Sequence, residues 1–417
     1  MKLKNSIKLV VVAACWTPLL ALATNGYFQH GYGVKAQGMA GVGIALPQDS
    51  LAAATNPAGM AFIGDRFDVG LVYFRPIRGA DISGNNPFLP PGDYEGNQTN
   101  PFLIPDVGYN KLIIPRLSLG VSVFGNGGMN TDYDRPIPLF NGGATNTSGV
   151  DLSQLFIAPT AAYKVTDNHA LGFSLIYAYQ IFAAKGLEGF APFSTDPNSL
   201  TNRGHQSSRG WGGRVGWTGR INDYVTLGAT YQSKIWMSKL TNYSGLFADQ
   251  GAFDIPANFG GGIAIKPAPT FTVGFDWQKI LYSGVAAVSN PSVALLGQGR
   301  KLGSSGGPGF GWQDMTIYKL GASWEHTPLT FRAGFSYGKE PIRPEDALIN
   351  ILAPGVIEEH ATIGLTWAVF KAGELSFSYM HGFGKNVTGP VPAAFGGGTV
   401  NLHMYQNSAG ISFGWKM

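Results

Sequence analysis

Charge is scarce in this chain. Lys, Arg, Asp and Glu make up 13% of its 417 residues, about half the share of an ordinary soluble domain, so a conventional charged surface is excluded. Cysteine is nearly absent, with Cys15 the single example. Long apolar runs are missing too: past the first two dozen residues no stretch approaches the ~18 consecutive apolar residues of a membrane helix, which excludes a helical bundle in a bilayer. Disorder is excluded by 26 Phe, 17 Tyr and 9 Trp, since such a chain has ample surface to bury. What remains, with 59 Gly, is glycine- and aromatic-rich β structure.

The N-terminus has the order of a secretory leader: Lys2, Lys4 and Lys8, an apolar run from Leu9 to Leu22 broken by Thr17 and Pro18, then Ala21-Leu22-Ala23. Cleavage after Ala23 is expected, making 1–23 the signal peptide. The competing lipoprotein box Val12-Ala13-Ala14-Cys15 is disfavoured because the apolar core runs on past Cys15 and the small-residue site follows it. Cleavage then removes the only thiol, and with it disulfide and thiol chemistry. The formal charge of +4 includes the three leader lysines. The remainder is almost neutral and carries no nucleic-acid footprint. Composition does not shift along the chain as a linker would make it, so one main domain is expected.

Period two governs most of the rest. Phe271, Val273, Phe275 and Trp277 alternate with Thr272, Gly274, Asp276 and Gln278, and Leu329, Phe331, Ala333, Phe335 and Tyr337 with Thr330, Arg332, Gly334 and Ser336. One face is large and apolar, the other small or polar. A soluble sandwich would show Lys and Glu on its outer face, whereas a membrane barrel turns apolar residues to lipid and smaller ones to the lumen. The low charge favours the barrel.

Fourteen strands are expected, at 66–77, 103–114, 116–125, 153–165, 169–185, 211–221, 224–240, 258–267, 270–285, 313–326, 329–339, 358–370, 373–386 and 404–417. Their connections alternate between short turns, such as Asn222-Asp223, and long loops, such as 78–102. Sorted loops of this kind belong to an all-β, 14-stranded antiparallel transmembrane barrel of a Gram-negative outer membrane, short turns in the periplasm.

Residues 24–65 lack alternation and abound in small side chains, among them Gly38, Gly41, Gly43, Ala52, Ala53 and Ala54. Such a segment cannot cross the membrane as a hairpin and is too poor in charge for a solvated linker. It is expected as a hatch inside the lumen, with 66–417 forming the barrel. Here a resemblance enters. The run Gly38-Met39-Ala40-Gly41-Val42-Gly43 and the motif Asn56-Pro57-Ala58 resemble the hatch of FadL-type outer-membrane transporters of long-chain fatty acids and aromatic hydrocarbons. Asp254-Ile255-Pro256-Ala257-Asn258 and Ser378-Tyr379-Met380-His381-Gly382 resemble later parts of the same family.

The resemblance implies capture of a hydrophobic ligand between two outer loops, transfer to a barrel site beside the hatch, and lateral release at an inward kink of strand three. The matching kink is Gly125-Asn126-Gly127-Gly128, whose glycines suit a bulge, the bland alternative being the end of a strand turning into a loop. The matching loops carry Ile137, Leu139 and Phe140, and Leu187, Phe190 and Phe193. These clusters suit either a capture groove or packing of the loops on each other. Fatty-acid-binding relatives meet the carboxylate with basic groups. Arg332 and Lys234 face inward by alternation and are the candidates, although lumenal charge also serves hatch contact. The expected partners are a hydrophobic small molecule and outer-membrane lipid, with the chain working as a monomer.

Other chemistry is poorly supported. Gly334-Phe335-Ser336-Tyr337-Gly338 and Gly410-Ile411-Ser412-Phe413-Gly414 spell a nucleophile elbow, but both sit within strand alternation and lack the following helix. An outer-membrane lipid hydrolase is therefore disfavoured. The seven histidines show no metal-ligand spacing, and no cofactor is expected. A nonspecific porin would have no need of the small-residue segment.

Overall fold

The computed structural model describes residues 25–417. The expected leader, its cleavage site, Cys15 and Thr24 lie outside the described residues.

Fourteen strands close into one antiparallel barrel: β1 (Arg66–Ser83), β2 (Phe102–Ile114), β3 (Leu117–Asp132), β4 (Gly149–Lys164), β5 (His169–Lys185), β6 (Gln206–Arg220), β7 (Val225–Gln232), β8 (Asn258–Ala268), β9 (Phe271–Ile280), β10 (Met315–His326), β11 (Leu329–Gly338), β12 (Glu359–Ala368), β13 (Gly373–Pro390) and β14 (Thr399–Lys416). β14 returns to β1, with Lys416 opposite Arg66 and Thr399 opposite Ser83, so the first and last strands leave no terminal edge for lipid to meet. Two short strands, Gly92–Glu95 on β1 and Trp236–Met237 on β6, are additions to the long-loop rim.

The alternation is realised as expected. Phe67, Val69, Leu71 and Tyr73 of β1, Leu171, Phe173 and Leu175 of β5, and Phe331, Phe335 and Tyr337 of β11 all point outward and are exposed. So broad an apolar band is stable only against lipid. None of the described helices is long and apolar enough to cross a membrane, so the strands do the crossing.

At the short-turn rim the strand limits lie close to those expected. At the long-loop rim they move. β1 runs to Ser83 rather than 77, β4 begins at Gly149 rather than 153, β6 at Gln206 rather than 211, β13 ends at Pro390 and β14 begins at Thr399. β3 continues to Asp132 instead of ending at Gly125. Above the bilayer a strand needs only its ladder partner, so pairing outlasts the lipid-facing pattern that reveals it. β7 and β9 stop early, at Gln232 and Ile280. After Gln232 the regular β7–β8 pairing ends: Ile235 pairs with Ile255, while Trp236–Met237 stays on β6.

The lumen has two zones. Near the short turns its lining is polar, with Asp68, Asn110, Ser118, Ser174, Thr218, Asp276, Thr362 and Glu374 all buried. Toward the long loops it is apolar, lined by Phe74, Phe102, Ile104, Phe124, Phe156, Phe182, Ile317, Leu402 and Met404. Most of residues 25–65 fill the polar zone, while Tyr27 to Gln29 reach β3 beside the apolar one. Asn110 Nδ2 donates to Met60 O (3.0 Å) on the β2 side, Asp276 Oδ2 accepts from Gly43 N (2.8 Å) on the β9 side, and Thr362 Oγ1 from Ala40 N (2.8 Å) on the β12 side. A segment bonded to strands right around the barrel lies inside it. Its backbone groups, barred from water, find their partners on the wall.

Candidate functional site: a window in the wall beside an apolar lumen

Asn56-Pro57-Ala58 anchors the lumenal segment. Asn56 caps the 3-10 turn Pro57–Phe62, its Oδ1 accepting from Ala58 N (3.1 Å). Its Nδ2 donates to Ile44 O (2.7 Å), Trp217 O (2.9 Å) and Thr218 Oγ1 (3.1 Å). Gly216 and Gly172 make room for this approach, since a Cβ on the first would strike Asn56 Oδ1 and on the second the Pro57–Ala58 backbone. On the opposite side Lys35 and Arg66 share Glu374, and Arg66 also pairs with Asp68 (2.5 Å), which accepts from Ser50 N (2.9 Å).

The wall opens at β3. The β2–β3 ladder runs from Ile114 opposite Leu117 to Val107 opposite Val123 and stops. Beyond that pair, Phe102 to Asp106 stay on β1 while Phe124 to Asp132 stay on β4, so the two strands part. Above the parting the wall is rejoined, as Asp132 O accepts from Gln98 N (3.0 Å) and Asp132 N donates to Gly96 O (3.2 Å). The result is a framed window. Arg78 braces its top from β1, donating through Nε to Asn130 O (2.6 Å) and through Nη2 to Asn130 Oδ1 (2.5 Å) and Thr99 O (3.1 Å).

Gly125-Asn126-Gly127-Gly128 forms the inner jamb. Gly125 faces Leu155 and Gly127 faces Gln154, leaving Asn126 as the extra residue of a bulge. The free edge of β3 is taken by the lumenal segment: Gln29 N donates to Asn126 O (3.0 Å), Gly128 N to Tyr27 O (2.9 Å), and Gln29 Nε2 to Gly125 O (2.7 Å). A Cβ at Gly127 would collide with the Tyr27 carbonyl, so this strand addition requires glycine.

Beside the jamb lies an apolar cavity lined by Phe74, Pro76, Met129, Trp312, Pro354 and Met404. Its Trp312 belongs to an aromatic cluster, the Tyr27 ring lying 6.0 Å from Trp312 and 5.4 Å from Tyr282. Burial, aided by Tyr282, pushes the Tyr27 phenol well above its ordinary range, and burial with His360 nearby pushes the His30 imidazole well below its own. Both groups are neutral, so neither adds charge to the lumen.

In the outer loops Ile137, Phe140, Leu187 and Phe190 are brought together and buried, Phe140 meeting Phe190 edge-on at 5.2 Å. Leu139 is half-buried and Phe193 exposed. Open apolar crevices lie on the far side of Leu187 and Phe190, against Leu246, Leu302, Pro308 and Leu352.

The two expected carboxylate partners are already engaged. Arg332 donates to Gln48 Oε1 (2.9 Å) and Thr366 Oγ1 (2.7 Å), a contact to the lumenal segment. Lys234 lies past the end of β7 and pairs with Asp254 (2.8 Å). A different cation was missed by sequence reasoning. Arg214 of β6 is buried, donates to Ala53 O (3.3 Å) and Gln232 Oε1, and has no carboxylate partner among the described residues. Its Nε, Gln232 Nε2 and Asn258 Nδ2 are buried without acceptors, and the three residues follow one another across β6, β7 and β8. Alternation with Val215 and Trp217 signals that Arg214 points inward.

Ser336 lies within β11, 3.3 Å from His360 Nδ1 and without a following helix. Asp81, Asp93 and His403 bring ligand atoms within 4.8 Å at the long-loop rim, away from the lumen.

Comparison with known proteins agrees with this architecture. The chain matches the model of the outer membrane protein transport protein family (OMPP1/FadL/TodX) over residues 20–414. Among solved structures, the toluene transporter TodX of Pseudomonas putida superposes with a TM-score of 0.69 at 18% identity, covering 94% of this chain and 100% of that one. A FadL homologue of Pseudomonas aeruginosa gives 0.69 at 17%, covering 94% and 99%, and the toluene transporter TbuX of Ralstonia pickettii 0.66 at 18%, covering 93% and 99%. No curated protein matches in sequence. The chain therefore belongs to the outer membrane transport family that FadL and TodX represent, a family of outer-membrane channels for hydrophobic compounds rather than of enzymes.

Proposed function

We propose that this chain takes hydrophobic compounds from the extracellular side and releases them sideways into the outer membrane through the β2–β3 window. Residues 25–65 act as the hatch that closes the straight path to the periplasm. The loop crevices beside Leu187 and Phe190 capture the ligand, and the apolar outer lumen holds it. The observation that carries this reading is the ladder's end at Val107–Val123, which opens the wall where the lumen is apolar. For a ligand of about ten methylenes, leaving water is favourable by roughly 8 kcal/mol at ~0.8 per CH₂, so an exit into the bilayer runs downhill and an aqueous exit does not. One chain contains the whole route, so a monomer in lipid suffices.

Cells bearing the protein should take up a labelled aromatic or long-chain hydrocarbon faster than cells without it. Planar bilayers containing it should show no porin-like ion conductance. A large steady conductance without hydrocarbon uptake would overturn the reading in favour of a porin.

Arg214 favours a second, narrower reading in which an anionic head group is accepted beside the hatch. Arg214→Met should then slow uptake of a long-chain carboxylate while leaving that of the matching uncharged hydrocarbon unchanged. Equal effects on both would remove a head-group role.

A further inference from the structure

We propose that a line of three buried side-chain amides, Asn126, Gln154 and Gln180, is the positioning device that holds the β3 bulge inward and keeps the window open. Its functional meaning rests on the lateral route proposed above, while its geometry stands alone.

Asn126 Nδ2 donates to Gln154 Oε1 (2.9 Å), Gln154 Nε2 to Gln180 Oε1 (2.8 Å), and Gln180 Nε2 to Phe253 O (3.3 Å). From the other side Tyr32 Oη donates to Asn126 Oδ1 (3.0 Å). All three amides are 0% exposed. They cross a region otherwise built of Phe124, Phe156, Ile176, Phe182 and Phe253, where apolar side chains would pack without any desolvation cost. The line follows the sheet, Gln154 facing Gly127 on one side and Gln180 on the other. It begins at the one residue of β3 that has no partner on β4.

That position gives the line its leverage. The extra residue reverses the in–out alternation of β3, so that Met129, which would otherwise face outward, faces the lumen and lines the cavity. Glycine permits a bulge but does not choose its place. Asn126 does, because its tie to Gln154, beside the bonds from Gln29 and Tyr32, fixes the unpaired residue at 126. With that tie gone, β3 can return to β2 by extending the ladder to Asp106 opposite Phe124 and Pro105 opposite Gly125.

The test is the crystal structure of Asn126→Leu/Gln154→Leu, a double change that removes donor and acceptor together and leaves few orphaned groups, alongside uptake of a labelled hydrocarbon. The expected result is a β2–β3 ladder extended past Val107–Val123, with loss of uptake and retained heat-modifiable migration of the folded barrel. An extended ladder with undiminished uptake supports the positioning role and defeats the lateral route. A folded variant whose ladder still stops at Val107–Val123, with Tyr27 to Gln29 still on β3, overturns the inference. Gln180→Met, which removes the acceptor of Gln154 Nε2 and the donor to Phe253 O but leaves the Asn126–Gln154 bond in place, carries the same expectation in milder form should the double variant not fold.

Discussion

At the scale of single residues, the lumenal segment is held by a few side chains that each serve several partners. Asn56 is the clearest, since its one amide closes bonds to Ile44, Trp217, Thr218 and Ala58. Asn56→Ala removes the donor to Ile44 O, Trp217 O and Thr218 Oγ1 and should cost about 2–4 kcal/mol, read as a lower urea midpoint for unfolding from lipid vesicles. Asp49 gives a pH signature. Burial, with Asp68 beside it, pushes its carboxyl from 3.8 up to about 6. The folded state then binds a proton that the unfolded chain has released, so this contribution is full below about pH 4 and is lost as pH rises through about 6. Wild type compared with Asp49→Asn should lose stability across that window, by up to ~3 kcal/mol, and run parallel to it above. A flat difference from pH 4 to 7 would show that Asp49 ionises normally.

At the scale of elements, β3 carries the proposed route and shows what sequence can reveal. Gly127 is needed for the close approach of Tyr27, so Gly127→Val with Gly128→Val should expel Tyr27 to Gln29 from the strand edge and favour regular pairing. Uptake of an apolar solute should fall while the barrel stays folded. Unchanged uptake in a variant whose structure shows the wall closed would point to passage through the hatch. Three glycines around Asn126 marked this place in the sequence, but the bulge itself was not legible. The choice between a strand end and a kink depends on whether β4 offers partners as far as Gly149, a contact remote in the chain. The lipid-facing alternation was legible because every turn of it meets the same solvent. The apolar outer lumen was less so, because Leu155-Phe156-Ile157 and similar runs, apolar on both faces, blur the period. Arg332 and Lys234 were visible as inward charges, yet their partners Gln48 and Asp254 could not be read from spacing. Arg214 was equally visible by alternation. Its isolation from any carboxylate is a property of the assembled wall.

At the scale of the whole molecule, the barrel divides its interior by polarity. The polar zone fixes most of residues 25–65 by hydrogen bonds on several sides, and the apolar zone lies beside the window. In the proposed reading that division separates the straight path from the lateral one, with the window as the exit. The claim is tested most directly by stitching the window shut. The only cysteine of the chain is Cys15, within the expected leader, so cysteines at Pro105 and Gly125, the second pair beyond Val107–Val123 in the register of that ladder, can be joined by a disulfide or a short bis-thiol reagent without competition. Uptake of a labelled hydrocarbon by cells carrying this variant should be lost on cross-linking and restored by reduction of the disulfide. Full uptake through a completely cross-linked barrel would contradict lateral release.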